Sequence, residues 1–121
     1  MSKRILAVDD SRTMREMLRH SLTSAGFEVT LAEDGADGLE KLHECDPDVV
    51  ITDINMPVMD GFEFIENVRE LPELNRVPIL VLSTESHPEK KRRAQQAGAT
   101  GWIVKPFDPE KLVAAVNRVA S

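Results

Sequence analysis

The segment Ile5-Leu6-Ala7-Val8-Asp9-Asp10-Ser11 begins with four apolar residues and ends in two acidic residues and a serine. An apolar run without polar alternation is typical of a strand that is buried on both faces, as in a parallel sheet. Ser11 is suited to cap a helix that follows directly. The segment therefore predicts a buried strand, a short acidic turn and a helix, which is the repeating unit of an α/β fold.

The same alternation of short apolar runs and amphipathic segments continues along the chain. Buried strands are predicted at residues 5–8, 49–51, 79–82 and 102–104. Apolar residues at three- and four-residue steps predict helices over residues 11–25, 35–45 and 61–71, and a last helix from Pro109 behind the cap residue Asp108. A further helix is predicted near residues 88–97, ended by Gly98, although a basic turn occupies part of it. The alternating segment 28–32 predicts an edge strand. Five strand–helix pairs without a linker predict one domain over residues 1–121.

This alternation predicts an α/β fold in which a doubly wound, five-stranded parallel sheet lies between two layers of helices, with right-handed crossovers. The simplest strand order is 2-1-3-4-5, which is known from flavodoxin-like sheets. The first helix is expected to bury an apolar stripe made of Met14, Met17, Leu18 and Leu22. The basic turn Lys90-Lys91-Arg92-Arg93 is either a docking patch or a solvated face.

Charge and composition exclude several classes of function. The chain carries 15 Lys and Arg against 21 Asp and Glu, a net charge of −6, which argues against a nucleic-acid partner because phosphates require a basic face. Cys45 is the only cysteine, which excludes an intrachain disulfide and a cysteine-based zinc site. The apolar runs are too short for a signal peptide or a membrane span. We therefore expect a soluble, cytoplasmic protein without membrane insertion.

Polar residues follow four of the predicted strands, as the pairs Asp9-Asp10, Thr52-Asp53, Ser83-Thr84 and Lys105-Pro106. In an open α/β sheet, ligands bind beyond the carboxyl ends of the strands where the strand order reverses, here between strands 1 and 3. Carboxylates that lie so close together repel one another unless a cation is bound between them. Their oxygens are hard ligands, which indicates Mg²⁺ as the cation. Strand 5, which ends in Lys105, should lie about 10 Å from strand 3, and a lysine side chain can reach across most of that gap.

The formal charges of such a site balance, because three aspartates (−3), Mg²⁺ (+2) and Lys105 (+1) sum to zero. A site of this kind is suited to accept a phosphoryl group on a carboxylate, with Ser83 as a neutral hydrogen-bond donor. Each residue alone also has a structural interpretation. The pair Asp9-Asp10 could complement a helix dipole. Asp53 could be a loop carboxylate, Ser83 a strand-end cap and Lys105 a solvated side chain beside a turn. Four of them on four strand ends favour the functional interpretation.

These residues resemble those of response-regulator receiver domains, especially the single-domain, CheY-like proteins of bacterial chemotaxis. The resemblance covers the whole chain and rests on three motifs: Val8-Asp9-Asp10-Ser11, Thr52-Asp53-Ile54-Asn55-Met56-Pro57-Val58-Met59-Asp60-Gly61 and Val104-Lys105-Pro106-Phe107. The strand order 2-1-3-4-5 is the known order of CheY itself and is therefore no independent prediction.

The resemblance implies that Asp53 accepts a phosphoryl group from a phosphohistidine on a CheA-like sensor histidine kinase. Asp10, Asp53 and the backbone carbonyl of Asn55 would ligate Mg²⁺, and Asp9 would act partly through metal-bound water. Lys105 would pair with the phosphoryl group, behind a peptide bond to Pro106 that is typically cis. The protein would then be no enzyme in the usual sense, although it assists its own phosphorylation and dephosphorylation.

The resemblance also implies a switch. Ser83 would move toward the phosphoryl group, the aromatic residue at position 102 would rotate inward, and Asn55 and Glu85 would tune self-dephosphorylation. The face of the fourth helix, fifth strand and fifth helix would then bind a target such as the flagellar motor switch, with the protein as a monomer. Two residues depart from the family pattern, since Trp102 replaces the usual Tyr or Phe and Ser83 replaces the commoner Thr.

Other functions remain as alternatives. Within the family, the chain could be a phosphate sink or a phosphorelay shuttle. A phosphohydrolase of the haloacid-dehalogenase type would need Asp-x-Asp, whereas Asp9 and Asp10 are adjacent, and a flavin site would place a phosphate beside them. No Gly-x-Ser-x-Gly motif is present for nucleophilic catalysis.

Overall fold

The computed structural model describes residues 2–120. Five parallel strands form one sheet in the order β2-β1-β3-β4-β5, which confirms the predicted fold class and strand order. The elements are β1 Arg4–Val8, α1 Arg12–Ser24, β2 Glu28–Ala32, α2 Gly35–Cys45, β3 Val49–Thr52, α3 Gly61–Glu70, a 3-10 turn Pro72–Leu74, β4 Ile79–Ser83, α4 Pro88–Ala97, β5 Gly101–Val104 and α5 Pro109–Val119.

Two apolar cores cover the two faces of the sheet, because alternate residues of each strand point to opposite faces. Leu6 and Val8 of β1 pack with α2 and α3, whereas Ile5 and Ala7 pack with α1 and α5. The central strands β1, β3 and β4 are therefore fully buried apart from the first residue of β1. This rigid sheet is the base that positions the residues at its carboxyl-end edge.

The register of the strands aligns their carboxyl ends. Val8, the last residue of β1, lies opposite both Ala32 of β2 and Thr52 of β3. Two further backbone hydrogen bonds extend this alignment by one residue, from Asp9 N to the Ala32 carbonyl oxygen and from Asp53 N to the Val8 carbonyl oxygen, both 3.0 Å. The side chains of Asp9 and Asp53 consequently leave the sheet at the same height.

The helix ends follow the predicted caps. The Ser11 side chain accepts a hydrogen bond from Met14 N, and the Asp108 side chain accepts one from Glu110 N ahead of α5. The cap of α4 is different, because the His87 ring nitrogen Nδ1 accepts a hydrogen bond of 3.2 Å from Glu89 N. Histidine is not among the residues that usually signal a helix start, so this cap was not predicted.

Two predictions about burial are wrong. Met17 was placed on the buried stripe of α1, yet it is 43% exposed, because Leu18 and Leu22 point straight at the sheet and Met17 lies about 100° around the helix from Leu18. The strand β5 was expected to be buried on both faces, but it is the edge of the sheet and leaves Val104 42% exposed. Within residues 2–120, the helices are too short or too polar to cross a membrane.

Candidate functional site

Three aspartates meet at the carboxyl ends of β1 and β3. Asp9, Asp10 and Asp53 each offer a carboxylate oxygen, and these oxygens lie within 4.8 Å of one another. Asp9 and Asp53 are buried, with 1% and 7% of their surfaces exposed, whereas Asp10 is exposed to solvent. The aligned ends of the two strands therefore concentrate three negative charges at one point.

Lys105 connects two of these carboxylates. Its Nζ donates a hydrogen bond of 2.7 Å to Asp9 Oδ2 and one of 3.0 Å to Asp53 Oδ2. The Lys105 side chain is only 8% exposed. Burial works against its charged form, but the hydrogen bonds to Asp9 and Asp53 outweigh burial and raise the pKa of Lys105. The ammonium group is therefore held charged between the two carboxylates.

The remaining oxygens of the buried aspartates are bound by backbone amides. Ser11 N donates a hydrogen bond of 2.9 Å to Asp9 Oδ1, and Ile54 N donates one of 2.7 Å to Asp53 Oδ1. Each of these carboxylates is thus fixed by one backbone N–H and by Lys105. Such fixed donors preset the orientation of both carboxylates.

The site has the donor set and the charge that a hard divalent cation requires. The three carboxylates and Lys105 together carry a formal charge of −3 + 1 = −2. Carboxylate oxygens are the ligands that Mg²⁺ prefers, and Mg²⁺ usually keeps several waters, which the exposed position of Asp10 allows. Asp9, Asp10 and Asp53 consequently fit a magnesium site.

The other predicted residues gather around Glu85, in the loop between β4 and α4. Ser83 is fully buried, and its Oγ accepts a hydrogen bond of 3.2 Å from Glu85 N. The indole Nε1 of Trp102 donates one of 2.8 Å to the Glu85 carbonyl oxygen. Asn55 Nδ2 donates a longer one of 3.4 Å to Glu85 Oε1. The predicted switch and tuning residues therefore share one contact point beside the acidic cluster.

Three residues near the site were not predicted from the sequence to contribute to it. The Arg15 guanidinium of α1 donates a hydrogen bond of 2.6 Å to the Asp9 carbonyl oxygen, and Lys90 of α4 forms an ion pair with Glu85. Gly61 is required by close packing, because a Cβ there would lie 2.2 Å from the Asp53 carbonyl oxygen. For Arg15 and Gly61 no local pattern reveals the contact, but the short spacing of Glu85 and Lys90 was a usable signal for a pair.

Comparison with known proteins identifies the family. Residues 5–117 match the family described as the response regulator receiver domain. The chain belongs to that family. The peptide bond between Lys105 and Pro106 of this receiver domain is cis, as the resemblance implied.

Similar receiver proteins span almost the whole chain. The chemotaxis protein CheY of Thermotoga maritima is 40% identical over 121 residues, which cover 99% of each chain. The solved structure of chemotaxis protein CheY4 of Vibrio cholerae is 49% identical with a TM-score of 0.95, covering 98% of this chain and 99% of that one. The receiver domain is therefore of the CheY-like type, a signalling protein.

A third similar structure concerns the metal. The receiver domain of a sensor histidine kinase from Pseudomonas aeruginosa is 27% identical, with a TM-score of 0.91 over 99% of this chain and 98% of that one. That structure is described with a magnesium ion coordinated in its active-site cleft. The acidic cluster of the present chain lies at the carboxyl ends of the central strands β1 and β3.

Proposed function

We propose that this receiver domain, formed by residues 1–121, is a response regulator that accepts a phosphoryl group on Asp53 from a phosphohistidine of a CheA-like sensor histidine kinase. One observation carries the proposal: Lys105 Nζ is held by Asp9 and Asp53 beside the exposed carboxylate of Asp10. A buried nucleophilic carboxylate is thereby placed next to a fixed cation and a divalent-metal site, which is what phosphoryl transfer requires.

In the transfer, an oxygen of Asp53 forms a bond to phosphorus while the bond from phosphorus to the histidine nitrogen breaks, and that nitrogen keeps the electron pair. Lys105 then turns from the carboxylates to the phosphoryl oxygens, which carry more charge. Asp10, Asp53 and the backbone carbonyl of Asn55 would hold Mg²⁺, which supplies positive charge to the phosphoryl oxygens when bound. Ile54 N keeps the second oxygen of Asp53 in place.

The switch follows from the contacts of Glu85. A phosphoryl group adds charge at Asp53 and attracts the hydroxyl of Ser83, which now accepts from Glu85 N. Movement of Ser83 therefore disturbs the loop that Trp102 binds through the Glu85 carbonyl. We expect the face of α4, β5 and α5 to change shape and to bind its target differently, while Asn55 and Glu85 tune the loss of the phosphoryl group.

The first test measures phosphorylation itself. The protein is incubated with acetyl phosphate, with and without Mg²⁺, and its intact mass is read beside the fluorescence of Trp102, its single tryptophan. We expect one added phosphoryl mass only with Mg²⁺ and only when Asp53 is present, so Asp53→Asn gains none. Asp46→Asn, the same change at an exposed position before β3, should behave like the wild type. Absence of any mass or fluorescence response in the wild type, with beryllofluoride as well, contradicts the proposal.

The target is most simply a flagellar motor switch protein, because similar chains are chemotaxis proteins. We further propose that the protein acts as a cytoplasmic monomer; retention of the motor protein by the phosphorylated form alone supports motor control. Absence of retention, combined with rapid return of phosphate to a kinase or to a second carrier, favours the alternative of a phosphate sink or relay shuttle. A binding assay with beryllofluoride-treated and untreated protein measures retention, and incubation of the phosphorylated protein with the kinase measures the return of phosphate.

A further inference from the structure

Glu85 is fixed through its backbone on both sides. Its amide N–H donates to Ser83 Oγ at 3.2 Å, and its carbonyl oxygen accepts from Trp102 Nε1 at 2.8 Å. The backbone of Glu85, in the loop between β4 and α4, is therefore held in place independently of its side-chain contacts. This fixed backbone limits which residues the carboxylate can reach.

The carboxylate of Glu85 has two partners, which lie on different elements. Asn55 Nδ2 donates to Oε1 at 3.4 Å, and Lys90 of α4 forms an ion pair with Oε2. Asn55 lies two residues after Asp53 and is exposed, whereas Asp53 is buried. The contact between Asn55 and Glu85 thus joins the loops after β3 and β4, and on the Asn55 side it is open to the solvent from which a phosphodonor comes.

Lys90 determines the net charge beside the contact of Asn55 and Glu85, which we call the entrance. Lys90 forms its ion pair with Oε2 of the Glu85 carboxylate, so one positive and one negative charge lie side by side there. With Lys90 present, the pair has no net charge. Without Lys90, a free carboxylate would add to the aspartates already present, and phosphodonors are themselves anions. Repulsion between like charges falls with distance and with salt, so a group at the entrance acts on the approach of the donor.

We propose that Lys90 is a positioning residue for phosphoryl transfer: it holds the Glu85 carboxylate against Asn55 and cancels its charge where an anionic phosphodonor approaches Asp53. The inference rests on the proposed function of Asp53 and adds a residue of α4 to it. Lys90 itself touches no reacting atom. The part of its effect that passes through Glu85 is separable from the effect of the neighbouring basic residues, since Glu85 forms its ion pair with Lys90.

The experiment measures the second-order rate of phosphorylation by acetyl phosphate, a dianion, at saturating Mg²⁺ by intact mass. In this reaction an oxygen of Asp53 bonds to phosphorus, the bond from phosphorus to the acetyl oxygen breaks, and acetate leaves with the electron pair. Lys90→Gln should lower the rate about three- to tenfold at about 20 mM salt, and about 500 mM salt should remove most of the difference. Lys90→Arg, which keeps the charge, should restore the rate.

Two controls separate the Glu85 contact from general surface charge. Lys91→Gln makes the same change at the adjacent, exposed position and should leave the rate near that of the wild type. In a Glu85→Gln background, Lys90→Gln should slow the rate less than in the wild type, because no carboxylate remains for Lys90 to hold and only the loss of its own charge acts. Thermal unfolding of each variant establishes that it is folded.

Each outcome bears on the inference. Equal rates in Lys90→Gln and the wild type, equal slowing in Lys90→Gln and Lys91→Gln, or an undiminished effect of Lys90→Gln in the Glu85→Gln background would overturn the role of Lys90. A wild type that gains no phosphoryl mass would overturn the proposed function of Asp53, and this inference with it. The wild-type arm therefore distinguishes the two failures.

Discussion

Within residues 2–120, Lys105 carries the only positive charge that forms an ion pair with the carboxylates of Asp9 and Asp53. Breaking a buried ion pair by removing one partner leaves an uncompensated charge, which is far more harmful than losing an exposed pair. Here the loss would leave two buried carboxylates facing each other beside a third. Lys105 is consequently needed for the fold as well as for the proposed chemistry.

We predict that Lys105→Gln lowers the free energy of unfolding at pH 7, without Mg²⁺, by about 2–4 kcal/mol. Because folding raises the pKa of Lys105, its contribution is complete below the ordinary pKa of a lysine and is lost as the pH rises through the folded value. The difference between wild type and variant should therefore stay constant up to about pH 10 and shrink above it. Urea unfolding from pH 7 to pH 11 in a chelating buffer measures this difference.

Lys111→Gln, an exposed lysine of α5, provides the matched control and should change stability by less than about 0.5 kcal/mol. A Lys105→Gln variant as stable as the wild type at pH 7 would show that the ion pairs do not hold the site together. A difference that persists undiminished at pH 11 would contradict the raised pKa.

At the scale of elements, the first residue of α3 packs closely against the backbone that directly follows β3. Gly61, the first residue of α3, donates its N–H to the Ile54 carbonyl oxygen at 2.8 Å. A Cβ at Gly61 would meet the Asp53 carbonyl oxygen at 2.2 Å and Ile54 Cα at 2.8 Å, both of them backbone atoms that no side-chain rotation moves aside. The start of α3 therefore restricts the position of the Asp53 backbone.

We predict that Gly61→Ala lowers the free energy of unfolding by about 1–3 kcal/mol, the usual effect of overpacking a tight site, and slows phosphorylation of Asp53 because its backbone must shift. Gly101→Ala is the matched control: its new methyl group would meet only Leu80 Cδ2, at 3.0 Å, on a side chain that can adjust. Urea unfolding and the mass assay are applied to both. Equal effects of the two variants on phosphorylation would contradict a specific link from Gly61 to Asp53.

Most elements could be predicted from the sequence because their signals are local. The stripe of Leu18 and Leu22, the cap at Ser11 and the apolar runs of the central strands each depend on a few neighbouring residues. The polar pairs at strand ends likewise predicted which residues meet, once parallel strands were assumed. The acidic cluster and its lysine could therefore be predicted from which residues directly follow each strand in the sequence.

What could not be predicted depends on distant contacts. The exposure of Val104 follows from the place of β5 at the edge of the sheet, and the bond from Trp102 to the Glu85 carbonyl follows from the path of the loop after β4. Arg15 reaches the Asp9 carbonyl only once α1 has packed on the sheet. None of these contacts changes the local pattern of polar and apolar residues, so the sequence alone does not reveal them.

At the scale of the whole molecule, the site opposes the stability of the fold. The chain has a net charge of −6, and three of its carboxylates lie within 4.8 Å of one another with one lysine between two of them. Like charges at this distance repel, and a bound divalent cation removes the repulsion. The protein should thus gain stability either when the cation binds or when one of the carboxylates is neutralised.

We predict that Asp10→Asn raises the free energy of unfolding by about 0.5–1 kcal/mol in a chelating buffer, because it relieves repulsion at an exposed position. The wild type should gain about 1.4 kcal/mol when Mg²⁺ is present at about ten times its dissociation constant, and Asp10→Asn should lose most of that gain with its ligand. Glu66→Gln, which makes the same charge change on the exposed surface of α3, should leave both values unchanged. Urea unfolding of the three proteins with and without Mg²⁺ measures both effects. If Asp10→Asn is less stable than the wild type without Mg²⁺, the cluster is not strained by repulsion; if it keeps the full gain from Mg²⁺, Asp10 is no ligand and the cation binds elsewhere.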